Sequence, residues 1–205
     1  MAIVAQRNLK SNSNDSVWWF NWTDTSIDYN NQWPFNWSAQ FNASWDKVTV
    51  ANNSAFNITT WSILMRVNTS LSWSYAYLMC KNNNNPTNDN FFYAIWPVSN
   101  NGKPSFYNWA RRTANTAIND SKWHLVAIWA TTWNSDFWLD GKLDATVAYN
   151  LFIATWTASS LYIWHRDVDS RNLNWFISRA RFYNHKIVAS EVKNEYALWK
   201  WFYSW

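Results

Sequence analysis

The residues best suited to chemistry lie in two polar stretches. In Asp167-Val168-Asp169-Ser170-Arg171-Asn172, two carboxylates stand at i and i+2 with Arg171 and Asn172 beside them. Closely spaced carboxylates with amide and carbonyl oxygens nearby are ligands for a hard cation such as Ca²⁺. The same groups hydrogen-bond sugar hydroxyls equally well. Asp167 and Asp169 are therefore the candidate metal ligands, and Asp167, Asp169, Arg171 and Asn172 the candidate ligand contacts. The second stretch, KNNNNPTNDN at 81–90, places Asn82, Asn84 and Asp89 in one loop. Asn both donates and accepts, as recognition of a polyol requires. For both stretches the plain alternative is a solvated turn.

Other chemistries find little support. The chain has two glutamates, Glu191 and Glu195, four apart in a helical segment, where a solvated helix face is the expected role. His124, His165 and His185 lack zinc-ligand spacing. There is no Gly-rich phosphate loop, and no serine or cysteine has a triad context. Arg111-Arg112 and Arg179/Arg181 are the basic clusters. The latter pair alternates on a strand and shares one face, as a patch for acidic polymers or as a solvated sheet face. The net charge of +4 is spread along the chain, with no basic run of the kind nucleic acid requires.

The elements that must position these loops are strands. Thirteen acidic and seventeen basic residues in 205, with no internal repeat, suit one domain. Residues 123–130 and 136–139 are rich in aromatic and β-branched residues. Residues 131–134 join them, and Asp140-Gly141 closes the second with a tight turn. Residues 38–41 and 47–50 read as a strand pair around a turn at 44–46. Further strands are expected at 61–67, 75–80, 91–96, 105–109, 113–117, 143–149, 161–164 and 175–183. Asn101-Gly102 is a hairpin signal. Residues 16–29 form a turn-rich first edge if Trp18, Trp19 and Trp22 stand for glycines, and 189–198 the one helix, with Ser190 as its N-cap. The single cysteine, Cys80, excludes an intramolecular disulfide and reads as a small buried hydrophobe. The expectation is an all-β sandwich.

The order of motifs resembles the laminin G-like, concanavalin A-like lectin superfamily. Lys122-Trp123-His124, an apolar strand, a loop and Phe137-Trp138-Leu139-Asp140-Gly141-Lys142 resemble that superfamily's core hairpin. FNASWDKVTV at 41–50, FNITTWSILMRV at 56–67, LYIW at 161–164, NWFISRARFY at 174–183 and IVASEVKNEYAL at 187–198 match its other landmarks in order. The resemblance covers roughly residues 16–200. It implies a jelly-roll sandwich of two antiparallel sheets, concanavalin A-like, with one short C-terminal helix, and a structural role for His124. It also implies Ca²⁺ at rim loops. Relatives that cleave β-glucans carry a Glu-x-Asp-x-Glu run, which this chain lacks. The expected function is a non-catalytic module that binds a glycan or polysaccharide at a cell or virion surface. A structural or adhesion domain binding a protein partner or neighbouring domain is the alternative, and a glycoside hydrolase a distant third.

Two counts depart from ordinary usage: two glycines, where about 7% is normal, and twenty tryptophans. Trp22, Trp37, Trp45, Trp164 and Trp175 stand where the resembled family has Gly. Twenty-nine asparagines fit an A+T-rich gene. These features predict that many tryptophans are UGA codons read as glycine in the native source, whereas Trp61, Trp123 and Trp138 are genuine. Residues 1–15 read as a polar lead-in, because the apolar run stops at Ala5 and is too short for a secretory signal. Residues 201–205 read as a tail. No segment reaches the length of a membrane span.

Overall fold

The computed structural model describes residues 3–8, 22–27, 29, 38–42, 46–56, 60–70, 76–81, 91–96, 101–108, 110–131, 134–148, 160–163 and 175–203. These form fourteen strands and one long helix. The first sheet contains β1 (Ile3–Asn8), β3 (Ala39–Phe41), β5 (Trp61–Thr69), β10 (Trp123–Ala130), β11 (Asn134–Leu139), β12 (Lys142–Ala148) and β14 (Trp175–Tyr183). Its order is β1-β14-β5-β10-β11-β12, with β3 also on β14. The second sheet contains β2 (Trp22–Thr25), β4 (Lys47–Val50), β6 (Ala76–Lys81), β7 (Phe91–Trp96), β8 (Lys103–Asn108), β9 (Ala110–Thr113) and β13 (Leu161–Ile163), in the order β2-β4-β13-β6-β7-β8-β9. Every described pairing is antiparallel.

The two sheets enclose one core. Alternation sends every second side chain inward: Trp61, Ile63, Met65 and Val67 from β5, Val126 and Ile128 from β10, Ala180 and Phe182 from β14. Val48, Val50, Tyr93, Ile95 and Phe106 meet them from the second sheet. Trp61 lies at the centre, its ring stacked on Phe182 (centroids 6.0 Å apart) and edge-on to Phe106 at 5.2 Å. Cys80 is buried, as expected. Lys81 is also fully buried, donates to Asn52 Oδ1 at 3.1 Å, and has its pKa pushed down to about 8 by desolvation.

The outer face of the first sheet is covered as well. The helix α1 (Ala189–Tyr203) lies against Leu64, Leu125, Ala127 and Tyr183 through Val192 and Tyr196. Val192, Glu195, Tyr196 and Trp199 follow the i, i+3, i+4, i+7 spacing of one helix face. Coverage on both sides explains why β5 is buried along nearly its whole length, although Ser62 and Arg66 interrupt its apolar run. The approach to α1 is pinned at Ser62, whose hydroxyl donates to the His185 carbonyl at 2.7 Å and accepts from the Ile187 N–H at 2.8 Å.

Several sequence expectations differ from the fold. Residues 38–41 and 47–50 are not a hairpin: β3 pairs with β14 in the first sheet, β4 with β2 and β13 in the second. The chain crosses between sheets at Asp46, which is buried and accepts the Asn42 N–H at 2.7 Å. Part of the expected lead-in, Ile3–Asn8, is an edge strand on β14. Trp201–Tyr203 of the expected tail continue α1. The strand expected at 113–117 ends at Thr113, because Asn115 and Thr116 turn to bind Asp144. The helix begins after Val188 rather than at a Ser190 cap: Glu191 Oε2 accepts the Val188 N–H at 2.8 Å, and the Val188 carbonyl accepts from Val192. That is the carboxylate half of a capping box.

Positive φ occurs, among the described residues, at Ser26, Asn101, Gly102, Ser121, Asp140 and Gly141, and at no tryptophan. Trp22 and Trp175 open β2 and β14 in ordinary extended conformation. Both glycines take positive φ, where an L side chain is strained. At Gly102 a Cβ would stand 2.2 Å from Asn119 Cγ, and at Gly141 it would meet the Tyr196 ring at 3.1 Å.

Candidate functional site

The sequence-predicted ligands Asn82, Asn84, Asp89, Asp167, Asp169, Arg171 and Asn172 all lie outside the described residues. Among the described residues no group of three His, Cys, Asp or Glu side chains could hold a metal ion. What the structure does show is an open cleft of about 500 Å³ where the β11–β12 hairpin meets α1. Thr116, Leu139, Asp140, Lys142, Leu143, Asp144, Tyr196 and Lys200 line it.

Each wall has a local cause. Asp140 (φ 48°) and Gly141 (φ 81°) make the two-residue turn between β11 and β12; positive φ at both positions matches the twist of the strands. The absent side chain at Gly141 lets Tyr196 close over the turn. Lys142 and Asp144 are two apart on β12 and share a face. Tyr196 and Lys200 are four apart on α1 and share a face too. Burial, then the charge of Asp140, pushes the Tyr196 phenol pKa up, so its hydroxyl keeps its proton. The exposed ammonium groups of Lys142 and Lys200 have no ion-pair partner among the described residues.

Both carboxylates of the cleft are occupied by the fold. Asp144 accepts the Asn115 N–H at 2.5 Å, the Thr116 N–H at 3.2 Å and the Thr116 hydroxyl at 2.6 Å. Asp140 accepts the Leu125 N–H at 2.9 Å, and its other oxygen lies 2.8 Å from His124 Nδ1. His124 Nε2 in turn lies 2.9 Å from Asp120. With a carboxylate at each ring nitrogen, the imidazolium is the form that donates to both. Burial alone disfavours that charge, but hydrogen bonds and charge from Asp140 and Asp120 outweigh it, and the His124 pKa is raised. Asp120 is desolvated too, yet His124 and the Lys122 backbone N–H hold its pKa below the ordinary carboxylate value. His124 therefore joins the start of β10 to the β11–β12 turn, the structural role expected of it.

This clamp gives stability a pH dependence. A raised histidine pKa contributes stability that is whole below the unfolded value of 6.5 and is lost as pH rises through the folded value. The lowered Asp120 pKa contributes stability present above 3.8 and lost as pH falls through the folded value. Urea unfolding should thus show falling stability from pH 6.5 upward, and His124→Gln should flatten that limb. An identical slope in the variant would remove the clamp from the account.

Arg112, Arg179, Arg181, Glu191 and Glu195, also singled out in the sequence, are held by structural partners. Arg179 donates to Glu195 at 3.0 Å, and Arg181 binds the other oxygen of the same carboxylate. The expected solvated basic face is instead covered by α1. Glu191 and Glu195 are not a solvated helix face, since Glu191 caps α1 and lies 3.3 Å from His185. Arg112 reaches across the core to the Ser135 hydroxyl at 2.9 Å and is almost wholly buried.

No protein-family profile matches the chain, and no curated protein matches it either. Its fold, however, is shared with solved structures. A structure of botulinum neurotoxin type C, whose cell entry is described as dependent on two ganglioside molecules, has a TM-score of 0.72 at 15% identity, over 96% of this chain and 50% of that one. The binding domain of botulinum neurotoxin DC in complex with rat synaptotagmin II gives 0.71 at 16% identity, over 96% and 51%. A Trypanosoma rangeli sialidase with 2,3-difluorosialic acid gives 0.74 at 12% identity, over 95% and 32%. The chain is a β-sandwich of two antiparallel sheets, and it spans about half the length of the neurotoxin chains it resembles. At these identities the likeness is one of fold.

Proposed function

We propose that this chain is a non-catalytic carbohydrate-recognition module of the laminin G-like, concanavalin A-like kind, displayed at a cell or virion surface. The observation that carries the reading is the open cleft beside Tyr196. It offers hydroxyl and ammonium groups to a ligand while its two carboxylates are held by Leu125, His124, Asn115 and Thr116. Glycoside hydrolysis by the common pair of carboxyl groups needs one free to protonate the leaving oxygen and a second free to act as nucleophile or base; in this cleft both are engaged by the fold. The ganglioside named for a similar structure supports a glycan ligand, although that chain is about twice the length matched. The proposed rim contacts are Asn82, Asn84 and Asp89 in one loop and Asp167, Asp169, Arg171 and Asn172 in the other. Ca²⁺ on Asp167 and Asp169 is part of the same proposal.

The test is a glycan and polysaccharide panel with and without EDTA. At least one saturable hit is expected, weakened by Asp167→Ala/Asp169→Ala and accompanied by no sugar release. Silence across the panel with saturable capture of a purified protein receptor would move the reading to a protein-binding domain. The complex of a similar domain with synaptotagmin makes that the second reading. Sugar release retained in the Asp167/Asp169 variant would establish a hydrolase.

A further inference from the structure

We infer that the cleft between the β11–β12 turn and α1 takes an acidic sugar: a hydroxyl-rich ring bearing a carboxylate or sulfate. This rests on the glycan reading above and goes beyond it in naming both the site and the charge of the ligand. The lining holds two carboxylates and two ammonium groups, an apparently neutral set. The two signs are not equally available. Asp144 is filled by three donors from Asn115 and Thr116. Asp140 is filled by the Leu125 N–H and by His124, which shares its proton-bearing ring with Asp120. Lys142 and Lys200 are exposed, approach from opposite walls, and face no described carboxylate within ion-pair distance.

The two ammonium groups are therefore the charged groups of the lining left with free hydrogen-bonding capacity for a ligand, set on a rigid base. Lys142 rides on a strand whose turn is held by Gly141 and the His124 clamp, and Lys200 on a helix pinned by Glu195. An ammonium on each side suits one anionic group between them, as two charge-assisted hydrogen bonds. Tyr196, on the same wall as Lys200, adds a hydroxyl that donates. The exposed Leu143 gives a second apolar contact at the rim. An aromatic ring, a few polar groups and an unpartnered charge pair are what a small acidic polyol needs; a neutral sugar would leave both ammonium groups without partners.

The measurement is calorimetric titration of the whole chain with 3′-sialyllactose, a heparin-derived tetrasaccharide and lactose, at two salt concentrations. The same ligands are titrated into Lys142→Ala, Lys200→Ala and the double variant. Both lysines are exposed, and near-UV circular dichroism checks that the variants stay folded. Binding of at least one acidic ligand over lactose is expected, weaker at high salt. Each single variant should lose roughly three- to tenfold in affinity and the double variant more. Which acidic ligand responds tells carboxylate from sulfate. Acidic binding unchanged in the double variant would overturn this site and leave the glycan reading intact. Equal binding of lactose would overturn the charge requirement. No binding of any sugar here, with silence across the wider panel, would overturn both.

Discussion

Trp61→Ala is expected to destabilise the fold by about 3–5 kcal/mol, the range for emptying a large aromatic site in a packed core. Trp61 has no exposed surface, opens β5 opposite Ala130 of β10, and contacts Phe106 from one sheet and Phe182 from the other. Its removal leaves a void between sheets that strand pairing holds apart, so the site cannot collapse to fill it. Urea unfolding measures the loss directly; a change under about 1 kcal/mol would mean that the ring is not packed as described. The same residue bears on the genetic code of the source. Glycine at position 61 would make the same void and add backbone freedom, so peptide mass mapping of the native protein should find tryptophan there. At Trp22 and Trp175, each the first residue of a strand, the codon reading expects glycine. If mass mapping finds tryptophan at 22, 37, 45, 164 and 175 as well, the codon proposal is wrong.

How legible the fold was depended on how local its causes are. The β10–β11–β12 meander could be read because strand period, the 131–134 connection and Asp140-Gly141 are all encoded within one stretch. The β7–β8 hairpin could be read from Asn101-Gly102, and both residues take positive φ there. The separation of β3 and β4 into different sheets could not, because it turns on one buried carboxylate, Asp46, at a corner where the sequence shows only a polar turn. Nor could the burial of Arg179 and Arg181. Their alternation placed them on one face correctly, but only the docking of α1 shows what covers that face. The cleft was invisible for the same reason. Its residues come from 116, 139–144 and 196–200, three stretches whose meeting no periodicity announces. The one available hint was the Tyr196–Lys200 spacing on the predicted helix. Gly141 carried a second signal, since a turn glycine can be required by a neighbour's ring as well as by its own φ.

Glu195→Ala should cost about 2–3 kcal/mol, below the 3–5 kcal/mol typical of breaking a fully buried ion pair, because water still reaches this one. The side chains of Glu195, Arg179 and Arg181 are 15%, 25% and 12% exposed. Removing the carboxylate takes away the one acidic group that both guanidinium groups bind beneath α1, although Arg181 keeps its hydrogen bond to the Tyr183 hydroxyl. The loss measured is mostly the penalty for that missing partner rather than the worth of the bond. Two comparisons separate the cases. Glu195→Leu combined with Arg179→Met and Arg181→Met should recover most of the lost stability, since apolar groups of similar volume replace buried ions at little cost. Amide exchange should then show where the damage falls. With Glu195→Ala alone, α1 should exchange faster while β5 and β10 keep their protection, because the helix is held through its own contacts on the outer face and the sandwich core lies on the other side of the sheet. Loosening α1 also displaces Tyr196 and Lys200, so acidic-sugar affinity should fall although Glu195 does not line the cleft. Unchanged stability together with unchanged exchange in α1 would show that the helix is held by Leu64, Leu125 and Val192 alone, and that the paired arginines do not secure it.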